Sequence, residues 1–134
     1  MNFLDIDENK LKNIVEYILD QNKNNIFLVG DLGAGKTRLV REICKKNNID
    51  YVLSPTFTIV NVYEGLKRFY HIDLYRLKSL NDFYDIGLDE ILSFDDSIKL
   101  VEWADIFPQI IKDGVLVEIK IKSETTRDFF IKEV

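Results

Sequence analysis

The chain has 134 residues, 46% hydrophobic and 31% charged, with a formal charge of −5 from 18 basic and 23 acidic side chains. That length and balance suit one compact domain over residues 1–134 and exclude a disordered or collagen-like chain. The acidic excess argues against a chain that holds nucleic acid mainly through its own phosphate contacts.

Leu11, Ile14, Val15, Ile18 and Leu19 recur at helical spacing, which predicts an amphipathic helix over roughly 8–21, with Asp5 and Glu8 as its capping box. Asn22 to Asn25 is a polar break. Ile26-Phe27-Leu28-Val29, bounded by Gly30, suits a strand buried on both faces. Leu39, Val40, Ile43 and Cys44 mark one face of a second helix, about 35–46, and Tyr51-Val52-Leu53 reads as a further short strand. Phe57 to Tyr63 and Phe69 to Leu74, aromatic and β-branched on either side of Glu64-Gly65, read as an antiparallel hairpin. Ser79 to Leu92 reads as helix interrupted at Gly87, Ile98 to Val101 as strand, and Asp105 to Lys112 as a short helix. Val115 to Ile121 and Arg127 to Ile131 form a second hairpin. The alternation of Val115, Val117, Ile119 and Ile121 with Glu118, Lys120 and Lys122 makes one face of that strand wetter.

The strongest chemical signal is Gly30-Asp31-Leu32-Gly33-Ala34-Gly35-Lys36-Thr37, which fits the phosphate-loop pattern G-x-x-x-x-G-K-[ST] between a buried strand and a helix. Glycines keep side chains out of the anion's path, and successive N–H groups at a helix N-terminus point at it. Lys36 supplies a compact positive charge for phosphates, and Thr37 a hydroxyl for Mg²⁺. Nucleotide hydrolysis also needs a carboxylate at the end of a neighbouring strand. Asp73, after Phe69-Tyr70-His71-Ile72, and Glu102, after Ile98-Lys99-Leu100-Val101, both qualify. Each is equally consistent with a loop cap, and His71 reads first as a structural hydrogen-bonding residue. Ser54-Pro55-Thr56-Phe57-Thr58 follows a buried run, where a nucleotide-sensing loop sits in other phosphate-loop proteins, so Thr56 or Thr58 can face the metal or γ-phosphate; a plain Ser-Pro turn fits as well. Trp103 reads as core or as a partner contact, Cys44 as a small core residue, and the acids between Asp82 and Asp96 as a solvated face. A lone Cys and a lone His permit neither an internal disulfide nor a zinc cage of thiolates and imidazoles. With no apolar run near the roughly 20 residues of a membrane span and no signal-peptide pattern at the N-terminus, a cytoplasmic protein without membrane association is expected.

Taken together, the loop at 30–37, Ser54-Pro55-Thr56-Phe57-Thr58, His71-Ile72-Asp73-Leu74-Tyr75-Arg76 and Glu102-Trp103 occur in an order and spacing that closely resembles the bacterial TsaE (YjeE) family. That family comprises small ATPases of tRNA threonylcarbamoyladenosine biosynthesis. The resemblance runs through nearly the whole chain. It implies an α/β fold, a minimal P-loop NTPase with a mixed parallel and antiparallel sheet flanked by helices. It also implies ATP and Mg²⁺ as cofactors. Gly33, Ala34, Gly35, Lys36 and Thr37 would wrap the phosphates, with Arg38 next to them. Thr56 and Thr58 match the family's switch-like loop. Asp73 and Glu102 match its two acids, with Lys36 the catalytic set and with Thr37 the metal set, and which acid lies nearer the metal stays open. Arg127 resembles a basic position near the nucleotide base. Two departures stand out: Ala104-Asp105-Ile106 replaces a segment where many relatives carry a further basic residue, and Arg38 stands where a second Thr is common.

By the same resemblance the chain does not itself transfer the threonylcarbamoyl group. The TsaB–TsaD complex does so, at adenosine 37 of tRNA, and this chain would assist it by hydrolysing ATP, touching tRNA only indirectly. Turnover by the chain alone would be slow, because no catalytic Arg is evident. A small-molecule kinase and a nucleotide-binding regulator without turnover are the rival readings.

Overall fold

The computed structural model describes all residues, 1–134. Seven strands form one sheet: β1 (Asn2–Ile6), β2 (Asn25–Val29), β3 (Val60–Glu64), β4 (Arg68–Asp73), β5 (Ser97–Glu102), β6 (Val115–Ile121) and β7 (Arg127–Glu133). Their spatial order is β1-β7-β6-β2-β5-β4-β3. β2 runs parallel to both β5 and β6, and β4 parallel to β5. The hairpins β3–β4 and β6–β7, and the pair β1–β7, are antiparallel. The expected mixed sheet flanked by helices is the observed architecture.

The sheet divides the interior into two cores. On one face, α1 (Leu11–Asp20) and α2 (Lys36–Lys46) bury Ile14, Val15, Ile18, Leu39, Val40 and Ile43 against Ile26, Leu28, Val117 and Leu100. On the other, α3 (Leu80–Ile86) and α4 (Leu88–Leu92) bring Phe83 and Leu88 onto Phe27, Ile72 and Val101. Alternation along β2 explains the split: Ile26 and Leu28 face one core, Phe27 the other. This is the burial on both faces that an unbroken apolar run demands. Along β6, Val115, Val117 and Ile119 are buried while Lys120 is exposed, as the alternation requires; Ile121, at the end of the strand, departs from it and is exposed.

Several elements differ from the sequence reading. β1 was not anticipated. Phe3 pairs with Phe129 but Ile6 with Arg127, so the strand bulges around Asp5, whose φ is 55°. Phe3 and Ile6 stand three apart, a spacing that imitates helical period, and the bulge lets both meet the same core from one strand. The cap before α1 is Asp7, whose side chain accepts from the Lys10 N–H and opens a short 3₁₀ turn at Glu8–Lys10; Asp5 and Glu8 form no capping box. Tyr51-Val52-Leu53 is not a strand. Only Val52 is buried, and the Leu53 peptide bonds to side chains on β3 in place of a neighbouring strand. The first hairpin begins at Val60, because residues 56–58 form a turn. Asp105–Lys112 is two 3₁₀ turns, Ala104–Ile106 and Pro108–Ile110, since Pro108 lacks an N–H and keeps Phe107 out of helical geometry.

Candidate functional site

The loop at 30–37 leaves the C-terminal end of β2 and enters α2 at Lys36. Gly33 and Gly35 have φ of 80° and 110°, a region in which a Cβ is strained. The N–H groups of the first turn of α2 have no helical partner, which makes that end of the helix an anion acceptor. Lys36 is 5% exposed. Its ammonium donates to the carbonyls of Gly30 and of Asp31, the latter at 3.1 Å, and lies 4.0 Å from the centre of the Trp103 ring. Burial pulls its pKa below the ordinary lysine value, opposed by the charges of Glu102, Asp105, Asp73 and Asp31. Trp103 holds φ 60°, a left-handed conformation costly for a bulky residue, and Tyr75 packs on its ring at 4.8 Å.

The parallel pairing of β4 with β5 sets Asp73 directly opposite Glu102. Both are 3% exposed. The Thr37 hydroxyl donates to the Glu102 carboxylate, at 2.9 Å and 3.1 Å from its two oxygens. Asp73 instead accepts from the Thr56 hydroxyl at 3.0 Å and from the Tyr75 N–H at 2.8 Å. The structure therefore gathers Lys36, Thr37, Glu102, Asp73, Thr56 and Trp103 at the ends of three adjacent strands. Of the two acids, Glu102 is the one in contact with Thr37.

Three anticipated residues stand differently. The Thr58 hydroxyl donates to Asn61 at 2.8 Å and does not contact the acids. Arg38 is exposed and pairs with Glu8 and Glu42. The Arg127 guanidinium donates to the carbonyls of Ala34 (3.0 Å), Gly33 (3.4 Å), Ser123 (2.8 Å) and Thr126 (2.9 Å), so it clamps the phosphate loop to the β6–β7 turn. Arg38 and Arg127 both line a cleft of about 630 Å³ that borders Gly33–Gly35 and is also lined by Asp7 and Asn9.

The sequence reading did not single out Tyr63, and it gave His71 no place in the site. His71 is completely buried, with Nε2 2.5 Å from Glu102 Oε2 and Nδ1 3.1 Å from the Tyr63 hydroxyl. Only the strand register brings these residues together. Tyr63 lies across β3 from Phe69, one diagonal step from His71, and no periodicity within one segment reports that.

No three His, Cys, Asp or Glu side chains converge on a metal position. Thr37 and Glu102 offer one hydroxyl and one carboxylate. This partial set fits Mg²⁺, which takes few protein ligands when phosphates and water complete its shell. The open backbone cradle at Gly33 and Gly35, next to a buried cation, likewise fits a nucleotide's phosphates.

Comparison with known proteins agrees with this arrangement. Residues 6–129 match the model of the family described as "Threonylcarbamoyl adenosine biosynthesis protein TsaE". The TsaE protein of Borreliella burgdorferi is 43% identical over 96 residues, covering 71% of this chain and 70% of its own. That of Rickettsia prowazekii is 36% identical over 118 residues, covering 83% and 78%. The crystal structure of Bacillus subtilis YdiB superposes with a TM-score of 0.78 at 28% identity, covering all of this chain and 85% of that one. A match over this extent, on a sheet that brings the four sequence motifs to one end, places the chain in the TsaE family of tRNA threonylcarbamoyladenosine biosynthesis proteins.

Proposed function

We propose that the chain binds ATP with Mg²⁺ at the 30–37 loop and hydrolyses it, and that this turnover serves the TsaB–TsaD complex during modification of tRNA adenosine 37. The observation that carries this reading is the contact of the Thr37 hydroxyl with both oxygens of Glu102, beside a buried Lys36 and an open glycine cradle. Thr37 and Glu102 hold the metal. A Mg²⁺ held there would supply positive charge against the phosphate oxygens. Lys36 exchanges the carbonyls of Gly30 and Asp31 for phosphate oxygens, a stronger, charge-assisted partner. Gly33 and Gly35 present main-chain N–H groups, the Ala34 N–H closes the loop on the Asp31 carbonyl at 2.9 Å, and Arg127 keeps the carbonyls of Gly33 and Ala34 turned away from the anion. Asp73 is the acid available to orient the attacking water, and Thr56 ties it to the 54–58 loop. The cleft beside Arg38 receives the rest of the nucleotide.

The chain supplies no arginine to the two acids, so slow turnover alone and faster turnover with the partner complex are expected. An arginine supplied in trans is worth about 10³–10⁵ in other phosphate-loop enzymes. Phosphate release from Mg·ATP, by the chain alone and with TsaB–TsaD, tests this directly. A slow rate that rises with the complex, and is abolished by Lys36→Ala, is the expected result. Parental release by Lys36→Ala overturns the site. No release in either condition leaves a nucleotide-binding regulator, and transfer to a small acceptor in place of water makes the chain a kinase.

A further inference from the structure

An unbroken line of hydrogen bonds crosses three strands at the edge of the site. It starts at Thr37 and passes to the Glu102 carboxylate, to His71 Nε2 at 2.5 Å, and from His71 Nδ1 to the Tyr63 hydroxyl at 3.1 Å. It ends on the Leu53 peptide, whose carbonyl lies 2.9 Å and whose N–H lies 3.2 Å from the same hydroxyl. We propose that Tyr63 and His71 are positioning residues that couple Glu102 to the main chain at Leu53, and through it to the 54–58 loop. The inference rests on the nucleotide and metal reading above and assigns two side chains that reading does not use.

The chemistry of the groups gives the line a direction. A carboxylate only accepts, so with Glu102 ionised the imidazole carries its proton on Nε2 and offers Nδ1 as an acceptor. The Tyr63 hydroxyl then has one proton and two acceptors, Nδ1 and the Leu53 carbonyl. It cannot serve both fully. Burial raises the Tyr63 pKa, which keeps the phenol a donor. A shift of Glu102 between Thr37 and a metal moves the imidazole, and the imidazole decides how firmly Tyr63 holds Leu53.

The segment at 51–53 is suited to respond, because it has no strand partner. Its Leu53 peptide is held by Tyr63 and Asn61, both on β3, and Thr58 is tied to the same Asn61. Side-chain bonds of this kind at an exposed segment release at small cost, because water replaces the lost partner. At the other end, partners behind a metal ligand tune its affinity, and losing one commonly costs about 10–100-fold.

Tyr63→Phe deletes only the hydroxyl and leaves the ring packed against His71. His71→Gln keeps an N–H donor near the Nε2 position and deletes the nitrogen facing Tyr63. The test is hydrogen exchange of segments 30–37 and 52–59, with a non-hydrolysable ATP analogue added in EDTA and then with Mg²⁺, beside the Mg²⁺ dependence of phosphate release. In the parental protein, Mg²⁺ with the analogue slows exchange in both segments. In either variant, segment 30–37 still responds, segment 52–59 does not, and the Mg²⁺ needed for half-maximal release rises about 10-fold. Variants that keep the parental response at 52–59 and the parental Mg²⁺ dependence overturn the coupling. A variant that binds the analogue more weakly even in EDTA shows general loosening and overturns it too. If segment 30–37 of the parental protein does not respond at all, the nucleotide site itself fails, and the coupling with it.

Discussion

Lys36 meets carbonyl dipoles and a π face before it meets an anion. In the proposed site the Gly30 and Asp31 carbonyls and the Trp103 ring hold the ammonium where phosphate oxygens would, so it is already desolvated and pointed into the loop. The side chain therefore gives up little further conformational freedom when a phosphate arrives. Cys44 shows the opposite use of burial. It sits on the apolar stripe of α2 with no exposure, and burial pushes its thiol up to about 12. The folded chain should react with a thiol reagent such as DTNB at pH 8 far more slowly than the chain in urea; equal rates would show that Cys44 is accessible. The sign of the linked pH effect follows. The folded state keeps the thiol proton where the unfolded chain loses it, so this contribution to stability is full below the thiol's ordinary value of 9.0 and falls as pH rises from there towards 12.

The glycines of the phosphate loop divide by their place in the surrounding elements. A Cβ on Gly30 would lie 2.8 Å from the Ile119 carbonyl of β6, whereas Gly33 has open space and is fixed by its positive φ. Gly30→Ala should cost about 1–3 kcal/mol through overpacking, and Gly33→Ala about 1–2 kcal/mol through backbone strain. Asn separates the two causes, because it tolerates left-handed backbone but is larger. Urea unfolding should find Gly33→Asn milder than Gly33→Ala, and Gly30→Asn harsher than Gly30→Ala. The elements legible in the sequence were those whose pattern is local: the apolar run of β2, the stripes of α1 and α2, the alternation of β6, and the break at Gly87. The phosphate loop was legible for the same reason. The bulge in β1 and the side-chain anchoring of Leu53 were not: the first depends on Arg127, far along the chain, and the second on a side-chain bond from Tyr63 that leaves no periodic pattern. The contact of Glu102 with Thr37 in preference to Asp73 is a matter of strand order: β5 lies next to β2, which carries the loop, and β4 lies one strand further out, an order that no local pattern reports.

At the scale of the whole molecule, a charge of −5 sets the sign of long-range encounter. Mixed with tRNA alone at physiological salt, the chain should leave its mobility unchanged in a gel-shift assay, while the complete set of partner proteins retards it. A shift by the chain alone would mean that a local basic patch outweighs the net charge. The strand order also fixes when the site can exist. The phosphate loop hangs from β2, whose neighbours are β5 and β6, and the first strand pairs only with β7. During synthesis the ribosome therefore delivers the loop long before its floor at 97–102 and 115–121, and β1 waits for residues 127–130 before its edge closes. Such distant pairings make folding slow relative to helical proteins. A nascent chain released before residue 97 carries every glycine of the motif and none of the strands that support β2, so the proposed nucleotide site is complete only near the end of translation.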